Sequence, residues 1–180
     1  MSRIDETRDF LPVRIAILTV SDTRTPADDK SGDTLVERLT AAGHVLAARN
    51  ITRDDRPTIA TQLRRWIDDP GVDVILTTGG TGLTGRDVTV EAHRDVYEKE
   101  IEAFGTVFTI VSMQKIGTSA VQSRACAGVA GGTYLFALPG SPGACRDAWD
   151  GILAAQLDYR HRPCNFVEIL PRLEEHRRRK

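Results

Sequence analysis

The chain has 180 residues, the size of one globular domain able to bury a core without disulfide or metal staples. Apolar residues make up 41% and charged residues 27%, and 24 Lys+Arg against 25 Asp+Glu leave a net charge of −1. That balance excludes the strongly basic surface of a dedicated nucleic-acid binder. No apolar run approaches the roughly 18 residues that span a bilayer, and the polar stretch Met1–Phe10 lacks a signal-peptide core. Neither a membrane nor nucleic acid is an expected partner. Cys126, Cys145 and Cys164 are sparse, odd in number and without a C-x-x-C pair, so reduced thiols and a cytoplasmic location are expected. Each is read as packing rather than reacting.

In chain order, Val13 to Val20 (VRIAILTV) is a β-branched apolar run, the mark of a strand buried on both faces. Leu35, Leu39 and Ala42 then recur at helical spacing, with Gly43 as a left-handed stop. A second strand is predicted over His44–Ile51. Pro57 suits the first turn of a helix with Ile59, Leu63, Trp66 and Ile67 on its apolar face. Asp69-Pro70-Gly71 ends it, and Val72–Thr77 reads as a third buried strand. Helical spacing is weak over Thr89–Tyr97 and better at Phe104, Val107, Phe108 and Val111. Thr133–Leu138 is another strand, followed by a helix over Ala144–Asp158. Such alternation predicts a three-layer α/β/α fold with a mostly parallel sheet. Without repeats or linkers, residues 1–180 are read as one domain with short flexible ends near 1–11 and 171–180, the last five residues frayed.

Three loops follow predicted strands: Ser21-Asp22-Thr23, Thr78-Gly79-Gly80-Thr81-Gly82 and Pro139-Gly140-Ser141-Pro142-Gly143. In an open parallel sheet, ligands bind beyond the carboxyl ends of the strands, so all three are expected along one edge. Glycine lets backbone N–H groups approach an anion closely, and the helix near Ala144 adds N-terminal donors. Each loop alone is explained as a tight turn; three on one edge point to a phosphate-rich ligand.

The middle loop imitates two known motifs. Gly80-Thr81-Gly82-Leu83-Thr84-Gly85 matches G-x-G-x-x-G, yet it follows the third strand rather than the first, and no acidic strand end lies downstream. As a P-loop it carries Arg86-Asp87 where Lys-Ser/Thr belongs. Asp87 is more telling, because a carboxylate beside a phosphate cradle is repulsive unless a divalent metal bridges the two. Arg86 can neutralise phosphate charge. Asp54 either supplies a second carboxylate from the same edge or, with Asp55, introduces the helix at Pro57. His44, His93, His161 and His176 are scattered without zinc-ligand spacing. Ser141 has no triad partners, and Trp66 and Trp149 are expected in the core.

These residues together resemble the MoaB/MogA family of molybdenum cofactor biosynthesis proteins, over roughly Val13–Pro163. The most specific stretch is Thr77-Thr78-Gly79-Gly80-Thr81-Gly82-Leu83-Thr84-Gly85-Arg86-Asp87-Val88-Thr89-Val90-Glu91-Ala92, similar to the family's TGGTG and R-D…E-A signature, with Val90 where proline is usual. Val20-Ser21-Asp22, Gln122-Ser123-Arg124 and Leu138-Pro139-Gly140 support it. Residues 100–105, Ile116–Ser119 and Arg162–Phe166 look closer to the MoaB branch. The resemblance implies a molybdopterin adenylyltransferase with ATP and molybdopterin as substrates, Mg2+ as cofactor, and a homotrimer or homohexamer. It assigns Asp87 and Asp54 to magnesium and transition-state organisation, and Thr78–Gly82 to the phosphate cradle. Ser21, Asp22, Arg86, Ser123, Arg124, Pro139, Gly140 and Ser141 become pocket residues.

A non-catalytic molybdopterin-binding or carrier protein of the same fold is the main rival; it predicts binding indifferent to Asp87→Asn and to magnesium. A nicotinamide-dependent oxidoreductase, resting on the misplaced glycine motif, ranks third.

Overall fold

The computed structural model describes residues 3–178; Met1, Ser2, Arg179 and Lys180 lie outside the described residues. Its central sheet has six strands: β2 (Arg14–Val20), β3 (Val45–Thr52), β4 (Val74–Thr78), β5 (Lys99–Glu100), β6 (Cys126–Ala130) and β7 (Thr133–Leu138). The order is β3-β2-β4-β7-β6-β5, with the first four strands parallel and β6 antiparallel to both of its neighbours, β7 and β5. Two further strands, β1 (Arg3–Ile4) and β8 (His161–Arg162), pair apart from it. The expected mostly parallel α/β architecture is the one observed.

Alternation along β2 explains why a continuous apolar run works here. Ile15 and Ile17 pack on one face with Leu35, Leu39, Phe108, Phe136 and Trp149. Ala16, Leu18 and Val20 pack on the other with Ile59, Leu63, Trp66 and Leu135. Strand side chains alternate faces, so both layers are fed by one strand. The first layer is built by α1 (Lys30–Ala41), α4 (Glu102–Ile116) and α5 (Pro142–Ala148), the second by α2 (Arg56–Ile67) and α3 (Thr89–Arg94). Trp66 and Trp149 are both core residues, as expected.

Several elements depart from the sequence reading. Strand β6 was not foreseen: CAGVA is small and carries one β-branched residue. A Cβ at Gly128 would stand 2.4 Å from the Tyr97 ring, so the strand is small because a ring lies on it. Gly131 and Gly132, both at positive φ, close a two-residue hairpin between β6 and β7. The predicted helix 144–158 begins earlier, at Pro142, and is broken by a π-helical turn, Trp149–Leu153, before α6 (Ala154–Gln156). The widened turn brings Gly151 against α4, where a Cβ would sit 2.9 Å from Val111.

Within the ends expected to be flexible, β1 pairs with β8, and a short helix α8 covers Glu175–Arg178 after α7 (Phe166–Ile169). Cys126 and Cys145 are buried, but Cys164 is exposed, contrary to expectation. Its neighbour Asn165 turns inward to donate to the Tyr159 and His161 carbonyls and to cap α7, leaving Cys164 facing solvent. Among the described residues, no helix is long and apolar enough to cross a membrane.

Candidate functional site

Strands β2, β4 and β7 are neighbours, so the three loops leave one edge of the sheet side by side. They are tied together by hydrogen bonds. The Gly79 N–H donates to the Leu138 carbonyl at 3.1 Å. Arg24, from the first loop, donates to the Gly140 carbonyl at 2.7 Å, and Ser31 Oγ reaches the same oxygen at 2.8 Å. Arg86 forms an ion pair with Asp22, joining the first and second loops.

In the first loop, Ser21 Oγ accepts the N–H groups of Thr23 and Arg24, each at 3.2 Å, which tightens the turn. Asp22 also accepts the Asp54 N–H at 3.3 Å. The cap of α2 is Asp55, whose carboxylate accepts the Thr58 N–H at 3.0 Å, so capping does not occupy Asp54. Asp54 turns to the cleft instead: a Cβ at Gly80 would lie 2.7 Å from its Oδ1. Burial raises the Asp54 carboxyl above the usual range, and the nearby Asp22 carboxylate adds to this.

The second loop depends on its glycines. Gly79 has φ of 99° and lies so close to β2 that a Cβ there would meet the Val20 carbonyl oxygen at 2.2 Å. Thr78 is fully buried and its hydroxyl donates inward to the Pro139 carbonyl at 2.9 Å. It therefore supports the loop from behind. Thr81 is also buried. Thr89, which sequence reasoning did not single out, donates its hydroxyl to the Gly79 carbonyl at 2.7 Å and its N–H to the Gly80 carbonyl at 2.9 Å. These bonds hold the start of α3, where Val90 replaces the usual proline and is buried against Tyr97.

Asp87 Oδ2 accepts the Thr84 hydroxyl at 2.6 Å and the Thr84 N–H at 2.8 Å. These bonds, the hydroxyl first, hold its carboxyl below the usual range, so it is ionised at neutral pH. Behind the loop, fully buried His93 contacts Thr77 Oγ1 at 2.8 Å and the Tyr97 hydroxyl at 3.0 Å. Burial pushes its pKa down to about 3.

Two open lobes result. Asp22, Arg53, Asp54, Asp55 and Arg86 line one of about 390 Å³. Gly80, Thr81, Gly82 and Asp87 face Ser123, Arg124, Pro139, Gly140 and Ser141 across another of about 320 Å³. Ser141 Oγ accepts the Ala144 N–H at 3.1 Å as the cap of α5. A larger cavity, about 570 Å³, lies at the opposite end of the strands near Arg14, Asp73 and Gly132. It is away from the carboxyl edge where parallel sheets hold ligands, and Arg14 and Asp73 there are already paired at 2.6 Å.

The carboxylates near the glycine turn are Asp54, beside Gly80, and Asp87, beside Gly82. Among the described residues, no group of three or more His, Cys, Asp or Glu side chains could hold a metal alone. Magnesium is commonly held by one or two carboxylates together with substrate phosphates. Asp54 and Asp87 are two carboxylates on one glycine turn that could take part in such a site; burial is the main cause that raises Asp54, and the Asp22 carboxylate adds to it.

Fold and site define an α/β protein with a glycine-rich, carboxylate-bearing cleft at the carboxyl edge of its parallel strands. The family model described as "Probable molybdopterin binding domain" matches residues 16–159. The chain is 50% identical over 158 residues to molybdenum cofactor biosynthesis protein B of Escherichia coli K12, covering 88% of this chain and 93% of that one. Among solved structures, a molybdenum cofactor biosynthesis protein B superposes with a TM-score of 0.84 at 38% identity, over 93% of this chain and 99% of that one. The tungsten cofactor synthesizing protein MoaB of Pyrococcus furiosus gives 0.71 at 34% identity, over 79% and 91%. The chain belongs to the MoaB/MogA family of molybdenum cofactor biosynthesis proteins and is of the MoaB type.

Proposed function

We propose that this protein is a molybdopterin adenylyltransferase that uses Mg-ATP. The terminal phosphate oxygen of molybdopterin attacks the α-phosphorus of ATP. A new P–O–P bond forms, the bond between the α-phosphorus and the bridging oxygen to the β-phosphate breaks, and pyrophosphate leaves with that electron pair. Adenylyl-molybdopterin is the product.

The observation that carries this reading is the approach of Asp54 and Asp87 to the Gly79–Gly82 turn, where a Cβ at Gly80 would lie 2.7 Å from Asp54 Oδ1 and one at Gly82 2.8 Å from Asp87 Oδ2. Both substrates are polyanions, so their alignment costs electrostatic repulsion that the site has to offset. Asp54 and Asp87 would hold magnesium, which when bound neutralises phosphate charge. Backbone N–H groups of the turn and the Arg86 guanidinium would face phosphate oxygens. Ser21, Asp22, Ser123, Pro139, Gly140 and Ser141 would wall the two lobes.

The same reading takes the chain as one molybdopterin-binding domain of the cytoplasm, working as a homotrimer or homohexamer. Assembly is supported by one stripe of α4, where Val107, Ile110, Met113 and Ile116 are each 42–53% exposed.

Isotope tracing tests the reaction. With 32P at the α position of ATP, the label should appear in the pterin product; with 32P at γ, it should appear in pyrophosphate. Molybdopterin bound tightly with ATP left intact would instead make the protein a carrier.

A further inference from the structure

Arg124 lies between α4 and β6; it lines one lobe and is 29% exposed, yet its guanidinium is engaged by the protein itself. Nε donates to the Thr81 and Gly82 carbonyls at 2.9 and 3.0 Å. Nη2 donates to the Asp87 carbonyl at 3.2 Å. Nη1 and Nη2 grip both carboxylate oxygens of Glu91, at 2.6 and 3.2 Å. Every nitrogen of the fork is thus engaged by backbone or by Glu91, which stands on α3 one turn beyond Asp87.

The bond to Thr81 has a consequence across its peptide. The carbonyl and N–H of a trans peptide point in opposite directions. Fixing the Thr81 carbonyl on Arg124 turns the Gly82 N–H away from it. Gly82 is pressed against the Asp87 carboxylate: a Cβ there would stand 2.8 Å from Asp87 Oδ2. The 81–82 peptide is therefore clamped between the guanidinium on one side and the carboxylate on the other. Arg124 holds Asp87 twice, through this peptide and through the Asp87 carbonyl.

We propose that Arg124 and Glu91 act as one positioning pair, which sets the carboxylate of Asp87 through the 81–82 peptide without touching substrate. Glu91 keeps the fork in the plane from which Nε reaches the carbonyls. A lysine would keep the charge but not the planar fork. The kinetic part of this inference rests on the adenylyl-transfer reading; the structural part does not.

The test uses Glu91→Gln, Arg124→Lys and the double variant in the full chain. Hydrogen exchange needs no activity: Arg124→Lys, which keeps the charge but not the planar fork, should quicken exchange at the Gly82 and Asp87 amides. Hydrogen exchange over residues 81–88 should quicken in Glu91→Gln, which retains a neutral acceptor and serves if the lysine variant does not fold. In single-turnover adenylyl transfer, each variant should lose roughly 10–100-fold in rate, as a displaced reacting group does, with KM for ATP within about threefold. The double variant should be no worse than the poorer single one, because paired residues act as a unit. Unchanged loop exchange in both single variants would overturn the proposal. So would a raised KM with an unchanged rate, the mark of an arginine that grips substrate. A wild type that transfers no AMP would remove the enzyme reading alone, and the exchange results would still decide the pair.

Discussion

The Thr89 hydroxyl donates to the Gly79 carbonyl at 2.7 Å, joining the first turn of α3 to the glycine turn that ends β4. Both residues are buried, so the oxygen has no water to fall back on. Thr89→Val keeps the shape and removes the donor, which leaves a buried carbonyl short of a partner at a cost of about 1–3 kcal/mol. At about 2–4 °C per kcal/mol for a chain of this size, a fall of several degrees in Tm is expected by calorimetry.

The glycines of the second loop should differ sharply in tolerance. Gly79→Ala puts a methyl 2.2 Å from the Val20 carbonyl oxygen at φ of 99°. The backbone must shift, and the left-handed conformation alone costs about 1–3 kcal/mol. Gly85 has nothing within 4 Å of a built Cβ, so Gly85→Ala should stay within about 0.5 kcal/mol of wild type. Urea unfolding of both variants checks the contrast.

His93 makes stability depend on acid. Its pKa is near 3 in the folded chain and 6.5 when exposed. Below pH 6.5 the unfolded state binds a proton that the folded state refuses, so this contribution is lost progressively as pH falls from 6.5 toward 3. The slope approaches about 1.4 kcal/mol per pH unit. Between pH 7 and pH 5 the wild type should lose about 2 kcal/mol more than His93→Gln, read from the pH dependence of urea midpoints.

The exposed stripe of α4 predicts assembly. Sedimentation velocity should give three or six times the 19.8 kDa chain mass, and Ile110→Glu should shift it toward the single chain. Monomeric wild-type protein would reject this use of the stripe.

How much was legible beforehand follows residue type. Strands β2, β4 and β7 were readable because burial on both faces demands an unbroken apolar run, and their loops followed as one edge. Strand β6 was hidden by its small residues, which make room for Tyr97, although Gly131-Gly132 carried a hairpin signal that went unused. Asp87 stood out because a carboxylate in a phosphate loop needs an explanation. Glu91 lay inside the same signature unremarked, since its partner Arg124 is 33 residues away and only the fold brings them together. Asp54 and Asp55 were indistinguishable as a pair; the cap bond to Thr58 separated their roles.

The central claim is that Asp87 organises AMP transfer to molybdopterin. A single-turnover assay with molybdopterin, ATP and magnesium, run beside folded Asp87→Asn, tests it most directly. Product from the wild type and a loss of roughly a hundredfold or more in the variant is the expected result, the scale seen when a key electrostatic group is removed. Bound molybdopterin with no adenylylated product from either protein would contradict it.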